Sequence, residues 1–234
     1  MKIEILYPEI ANIFGDYSNI KYLEKSLPHS KIIYTSLADE PYFVKHKVDL
    51  IYLGSMSEEF QDLVIEKLSK YTTKLKKCIE DNTIVLFTGM AFELIGEYIE
   101  EKGKKTKTLN LFEVYFKKDK TKHNNSLFIG KFNNYKIVGN KSSFTFMYGN
   151  NKYPFIKTLY GSVGMNEDSN LEGIHYKNFF GTSLLGPLLI LNPYFTEYLI
   201  KLKYPDYKLL YKKELIESYN KRVSNLENRK NYIL

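Results

Sequence analysis

The sequence predicts an α/β protein built on a mostly parallel central sheet with an antiparallel β extension. Three observations carry this. Up to about residue 98 the order is strand, helix, strand, strand, helix, strand, helix, an alternation that argues for parallel strands covered by helices on both faces. The run 49–54, Asp-Leu-Ile-Tyr-Leu-Gly, and the run 83–87, Thr-Ile-Val-Leu-Phe, are continuously apolar, as strands buried on both faces are. From about 106 to 160 short β-rich pieces are separated by Lys- and Asn-rich turns, which reads as antiparallel β.

Taken in order, Lys2–Leu6 is the first strand, and Gly15-Asp16 opens a helix with Asp16 as N-cap and Ile20, Leu23 and Leu27 on its apolar face. Pro28 ends it, 31–34 is a second strand and 49–54 a third, followed by the turn Gly54-Ser55-Met56-Ser57. Phe60, Leu63, Val64, Leu68, Tyr71, Leu75, Cys78 and Ile79 recur at steps of three and four and predict one long helix capped by Ser57. Cys78, on that stripe, reads as a small buried hydrophobe rather than a reactive thiol.

Next comes the stretch 83–96, an apolar strand meeting a small-residue turn at Thr88-Gly89 with a helical pattern starting at once. That is the form of a strand-to-helix elbow, where α/β enzymes carry a nucleophile. Here the tip is glycine. Strands are expected at 108–116, 126–132, 135–138, 155–159 and 173–178, a polar loop at 161–170, a Gly/Pro turn over 179–189, and closing helices at about 193–203 and 212–228. Ligands of such sheets bind beyond the carboxyl ends of the strands, which places 12–19, 54–57 and 88–91 around one cleft.

Composition narrows the function. The chain has 234 residues, 44% hydrophobic, with no apolar run near the length of a membrane span. No secretory leader is apparent at the start, so a cytoplasmic protein is expected. One cysteine excludes an internal disulfide framework, and four scattered histidines show no ligand spacing, so no metal and no cofactor are expected. The charge of +7 is spread over lysine-rich segments with almost no arginine and no recognisable motif, which argues against nucleic acid as partner.

Three blocks carry a resemblance: Asn12-x-x-Gly15-Asp16-x-x-Asn19-Ile20; Glu172-Gly173-Ile174-His175-Tyr176-Lys177-Asn178-x-x-Gly181-Thr182; and Gly186-Pro187. In order and spacing, from residue 2 to about 205, they resemble the glutamine amidotransferase-like subunit of lipid II isoglutaminyl synthase, the GatD type. The resemblance implies a flavodoxin-like three-layer sandwich of the class I glutamine amidotransferase type, related to the cobyric acid synthase family. It implies a domain at 1–205, with 206–234 a helical extension packed on it. It also implies a hetero-oligomeric partner, a Mur-ligase-like ATP-dependent subunit that amidates the peptidoglycan stem D-glutamate; the pathway substrate is a membrane lipid, but no membrane insertion of this chain is implied.

The family elbow reads Cys-Gly-Gly-Tyr-Gln-x-x-Gly. Matching Phe92 and Gly96 places its nucleophile at Gly89 and its glutamine at Glu93, for which a solvated or capping role is expected. The family base, the histidine of Gly-Thr-x-x-His-Gly-Pro, falls on Leu185, and a glutamine-holding arginine aligns with Phe146. Hydrolysis by this route needs a thiolate, an imidazole and an oxyanion donor. Glycine and leucine supply neither of the first two, so no catalytic pair is expected intact. Asn12, Gly15, Asp16, Asn19, Gly54, Ser55, Thr88, Met90, Phe146 and His175 are expected to line the cleft, His175 in a packing role. Three functions remain open: a non-hydrolysing subunit of an amidating complex, a pseudoenzyme holding another small ligand, and a glutaminase working through substitute residues.

Overall fold

The computed structural model describes residues 1–228. Among these, the strands form one nine-stranded and one four-stranded sheet. The large sheet is built on β1 (Lys2–Leu6), β2 (Lys31–Thr35), β3 (Leu50–Leu53), β4 (Ile84–Thr88) and β13 (Phe179–Thr182), in the order β2-β1-β3-β4-β13 and all parallel. It continues antiparallel through β12 (Leu171–Tyr176), β11 (Pro154–Tyr160), β8 (Asn124–Phe132) and β9 (Tyr135–Ser143). The small sheet holds β5 (Tyr98–Glu101), β6 (Lys104–Lys107), β7 (Val114–Lys118) and β10 (Thr145–Gly149), in the order β10-β7-β5-β6.

Alternate residues of the parallel strands feed two cores. Ile51, Leu53, Val85 and Phe87 join one cluster with Val64, Leu68, Leu75 and Ile79 of α2 (Glu58–Ser69) and α3 (Thr72–Glu80). Leu50, Tyr52, Ile84 and Leu86 join the other, with Ile20 and Leu23 of α1 (Asp16–Ser26), Leu188 and Leu189 of α4 (Leu188–Leu191) and Phe195 and Leu199 of α5 (Pro193–Lys201). Burial on both faces is why these strands read as unbroken apolar runs. The last helix, α6 (Lys212–Asn228), lies on β8 and β9, with Tyr219 and Val223 buried against Ile129 and Val138. No described helix is long and apolar enough to cross a membrane, and no group of three or more metal-binding side chains occurs among the described residues.

Several expectations are corrected. The long helix is two, broken at Tyr71 (φ −117°). Hydroxyls around the break compete for backbone carbonyls, Ser69 Oγ donating to Ile65 and Thr72 Oγ1 to Ser69. The buried stripe of α2 is Gln61, Val64, Ile65 and Leu68, which leaves Phe60 and Leu63 36% and 46% exposed. The segment after the elbow is a 3-10 helix, Gly89–Ile95. Phe179–Thr182, expected as a turn, is the central strand β13, reached from β12 through Lys177-Asn178 with Lys177 at φ 52°. Within the expected extension 206–234, residues 229–234 lie outside the described set.

Candidate functional site

The site lies at the carboxyl ends of β3, β4 and β13. Gly89 follows β4 with φ 57°, a left-handed conformation that costs a side-chain-bearing residue about 1 kcal/mol or more. A Cβ placed on it would meet Ser55 Oγ at 2.5 Å and Leu185 Cδ2 at 2.9 Å. Leu185, following β13, is held by its amide to Asn140 O at 2.8 Å. The two positions matched above to a nucleophile and a base are thus adjacent in space, and both are filled by inert groups. The Met90 amide, which in an elbow enzyme would face a developing oxyanion, donates instead to Ser55 Oγ at 3.3 Å.

Beneath this rim lies a buried polar knot. Asp16 Oδ2 accepts from the Ser55 amide at 2.6 Å and Thr88 Oγ1 at 2.8 Å, and Oδ1 accepts from Asn19 Nδ2 at 3.0 Å. Asn19 Nδ2 also donates to Tyr52 Oη at 3.0 Å, and its Oδ1 accepts the Leu189 amide at 2.9 Å. Burial pushes the Asp16 carboxyl up to about 6 despite these donors, and holds the Tyr52 phenol well above its usual range. The knot ties α1, the ends of β3 and β4, and α4 together. Asp16 is therefore not an N-cap: Gly15, in a left-handed conformation, precedes the helix, and the Asp16 side chain turns into the sheet. Gly15 packs on Pro187, so two of the quoted blocks meet here.

In front of the rim a cleft of about 310 Å³ is lined by Ile13, Phe14, Met56, Met90, Phe144, Leu185 and Gly89, with Ser57, Glu58, Glu93, His123, Ser142, Ser143, Thr145 and Ser183. Of the ten residues expected to line it, Met90 does. Asp16, Asn19, Gly54, Ser55 and Thr88 lie behind its wall, because their polar groups bond one another or, for Gly54, because Ala11 and Asp16 press on it; Gly15 is exposed beside Pro187, outside the cleft lining. Asn12 is turned to Pro8 O at 2.6 Å, leaving Ile13 and Phe14 at the cleft. Phe146 lines a small inner chamber with Phe92, Phe116 and Glu93. His175 stacks on Phe180 at 4.3 Å beside Phe132 and Phe155, away from the cleft, and burial lowers its imidazole below the ordinary range.

Glu93 corrects the expected solvated role. It is 5% exposed and accepts from Gln61 Nε2 at 3.0 Å, and burial pushes its carboxyl up to about 7. No residue pattern flags this, since Gln61 lies off the apolar stripe of the sequence and turns inward only in the fold. A buried pair deeper in, missed in the sequence, joins the antiparallel strands: Lys141 Nζ lies 2.6 Å from Glu172 Oε2 and donates to Val163 O at 3.3 Å and Gly164 O at 2.5 Å. Glu172 Oε1 accepts from Thr182 Oγ1, the Ser183 amide and Ser183 Oγ at 2.8–2.9 Å. Nothing in a single sequence marks a lysine and a glutamate thirty-one positions apart as partners.

Residues 2–190 match the model of the CobB/CobQ-like glutamine amidotransferase domain. The chain is 29% identical over 243 aligned positions to the lipid II isoglutaminyl synthase (glutamine-hydrolyzing) subunit GatD of Streptococcus pneumoniae, covering 94% of this chain and 90% of that one. It is 28% identical over 197 positions to the GatD subunit of Staphylococcus aureus, covering 81% and 79%. Among solved structures, PurLQS from Thermotoga maritima superposes with a TM-score of 0.53 at 12% identity, covering 95% of this chain and 98% of that one. A glutamine amidotransferase from the same organism gives 0.52 at 12% identity, covering 97% and 94%. These structural likenesses bear on the fold, a class I glutamine amidotransferase fold, consistent with a flavodoxin-like α/β sandwich.

Proposed function

This chain belongs to the CobB/CobQ-like glutamine amidotransferase family, and on that premise we propose that it is a non-hydrolysing structural or regulatory subunit of a Mur-ligase-like amidating complex. The complex would amidate the D-glutamate of the peptidoglycan stem in lipid II, drawing on ammonia from a source other than this chain. The observation that carries the reading is Gly89: the elbow keeps its left-handed backbone while the space for a nucleophile's Cβ is taken by Ser55 and Leu185. Thr88 supplies no substitute, since it is fully buried and its hydroxyl donates to Asp16. The described cleft lining contains no lysine or arginine to hold the carboxylate of glutamine.

The test is co-purification. Co-expressed with the Mur-ligase-like subunit of its own genome, the chain is expected to elute as a stoichiometric complex. Failure to associate would remove the proposal.

One observation favours a second reading, a glutaminase with substitute residues. His123 Nε2 lies 3.2 Å from Ser142 Oγ, and both line the cleft. The imidazole stacks on Phe144 and has no carboxylate partner among the described residues, so nothing fixes its tautomer as a general base requires. Glutamine turnover lost on Ser142→Ala would establish this second reading.

A further inference from the structure

The cleft carries a charge opposite to that of the chain. The protein has 34 Lys and Arg against 27 Asp and Glu, yet the described residues lining the cleft include two carboxylates, Glu58 and Glu93, and no lysine or arginine. Glu58 is half exposed and has its own counter-ions, Lys118 at 2.8 Å and Lys120 at 3.9 Å. Glu93 is different. It is buried, its side-chain hydrogen bonds come from the neutral Gln61 and Thr145, and it forms no ion pair among the described residues, the nearby Lys118 being paired with Glu58 and offsetting its burial only in part. A carboxylate removed from water without a counter-ion is destabilised in its charged form, and a cation delivered to it would relieve that cost. The neighbouring wall is apolar, from Phe14, Met56, Phe144 and Leu185. The cleft, at about 310 Å³, sits at the lower end of the range for small-molecule sites.

We propose that this cleft binds a small primary amine, with the ammonium group on Glu93 and a short apolar body against Phe14, Met56 and Phe144. The inference rests on the preceding reading only in that the cleft is taken not to hold glutamine. An anionic ligand would meet two carboxylates and no lysine or arginine on the cleft lining, and a neutral one would gain no charge pairing with Glu93.

Binding of an amine requires Glu93 ionised. Burial holds its carboxyl up at about 7, so affinity rises with pH up to that point and levels off above it. The titratable and charged groups around Glu93 are Lys118 on β7, Glu58 on α2, His123 before β8 and, across the inner chamber, Lys141 on β9 and Glu172 on β12, which pair with each other at 2.6 Å; Gln61 and Thr145 are neutral.

The experiment is calorimetric or ligand-observed NMR titration of the full chain with n-butylammonium, n-butanol and butyrate from pH 6 to 8. At pH 8 the amine is expected to bind at least about tenfold more tightly than the alcohol, and butyrate not at all. Below pH 7 amine affinity falls by about tenfold per unit. Glu93→Gln, nearly isosteric, is expected to bind amine and alcohol alike and to lose the pH dependence. Equal binding of amine and alcohol by the wild type, no binding at all, or amine preference and pH dependence persisting in Glu93→Gln would each overturn the proposal. If Glu93→Gln fails to fold, the wild-type series decides alone. A complex that co-purifies while the wild type shows no amine preference separates failure of this inference from failure of the subunit assignment, and amine binding without co-purification separates the reverse.

Discussion

The rim of the elbow and the knot beneath it are a few ångströms apart and have opposite chemistry. At the rim, Gly89, Leu185 and Met90 present no nucleophile, no base and an amide already bonded to Ser55. In the knot, Asp16, Asn19, Tyr52, Ser55 and Thr88 are buried and mutually hydrogen-bonded. The difference teaches that the backbone geometry of an elbow is set by the polar foundation that ties strand ends to α1 and α4, and does not need the reactive groups it would otherwise present. On the proposed reading, this scaffold persists without its chemistry.

Of the changes considered, breaking the buried ion pair of the antiparallel half should cost most. Lys141→Ala strands Glu172 as an uncompensated buried charge and should cost about 3–5 kcal/mol, read as a loss of denaturation free energy. A loss under about 1 kcal/mol would show that the antiparallel half does not depend on the pair.

Glu93→Gln works in the other direction. Its carboxyl is raised from 4.5 to about 7, so the folded protein binds that proton more tightly than the unfolded chain. The stability Glu93 contributes is present below pH 4.5 and is lost as pH rises through about 7. The variant should therefore be more stable than the wild type at pH 8, on the order of 3 kcal/mol, and the difference should vanish near pH 4.5. Melting curves at the two pH values check both the size and the sign.

At the rim the expected cost is smaller. Gly89→Cys adds a side chain at φ 57° against Ser55 and Leu185 and should destabilise by about 1–3 kcal/mol, without creating glutaminase activity. Turnover from that single change would show that a base is present after all. Smallest of all is Leu63→Ser on the exposed face of α2, expected within about 0.5 kcal/mol by chemical denaturation. A larger loss would mean that this face is covered in solution.

In the parallel half, β1, β3 and β4 were legible because they are buried on both faces, so their apolar runs and the punctuation around them agree. The pairing of Gly89 with Leu185 was legible only through the resemblance, which matches them to a nucleophile and its base, while the approach of Gly15 to Pro187 was not. What was hidden depends on contacts distant in sequence. The strand Phe179–Thr182 looked like a turn because Gly181 and Gly186-Pro187 punctuate it. The inward turn of Gln61 follows from Glu93 across the interface, and His175 was drawn from the cleft by the rings of Phe132, Phe155 and Phe180.

The central claim, that the elbow survives without its reaction, is tested most directly by measuring ammonia released from glutamine by the purified chain in complex with its ligase partner. The account predicts no release above that of the partner alone. Sustained glutamine turnover, abolished by Ser142→Ala or His123→Ala, would contradict it.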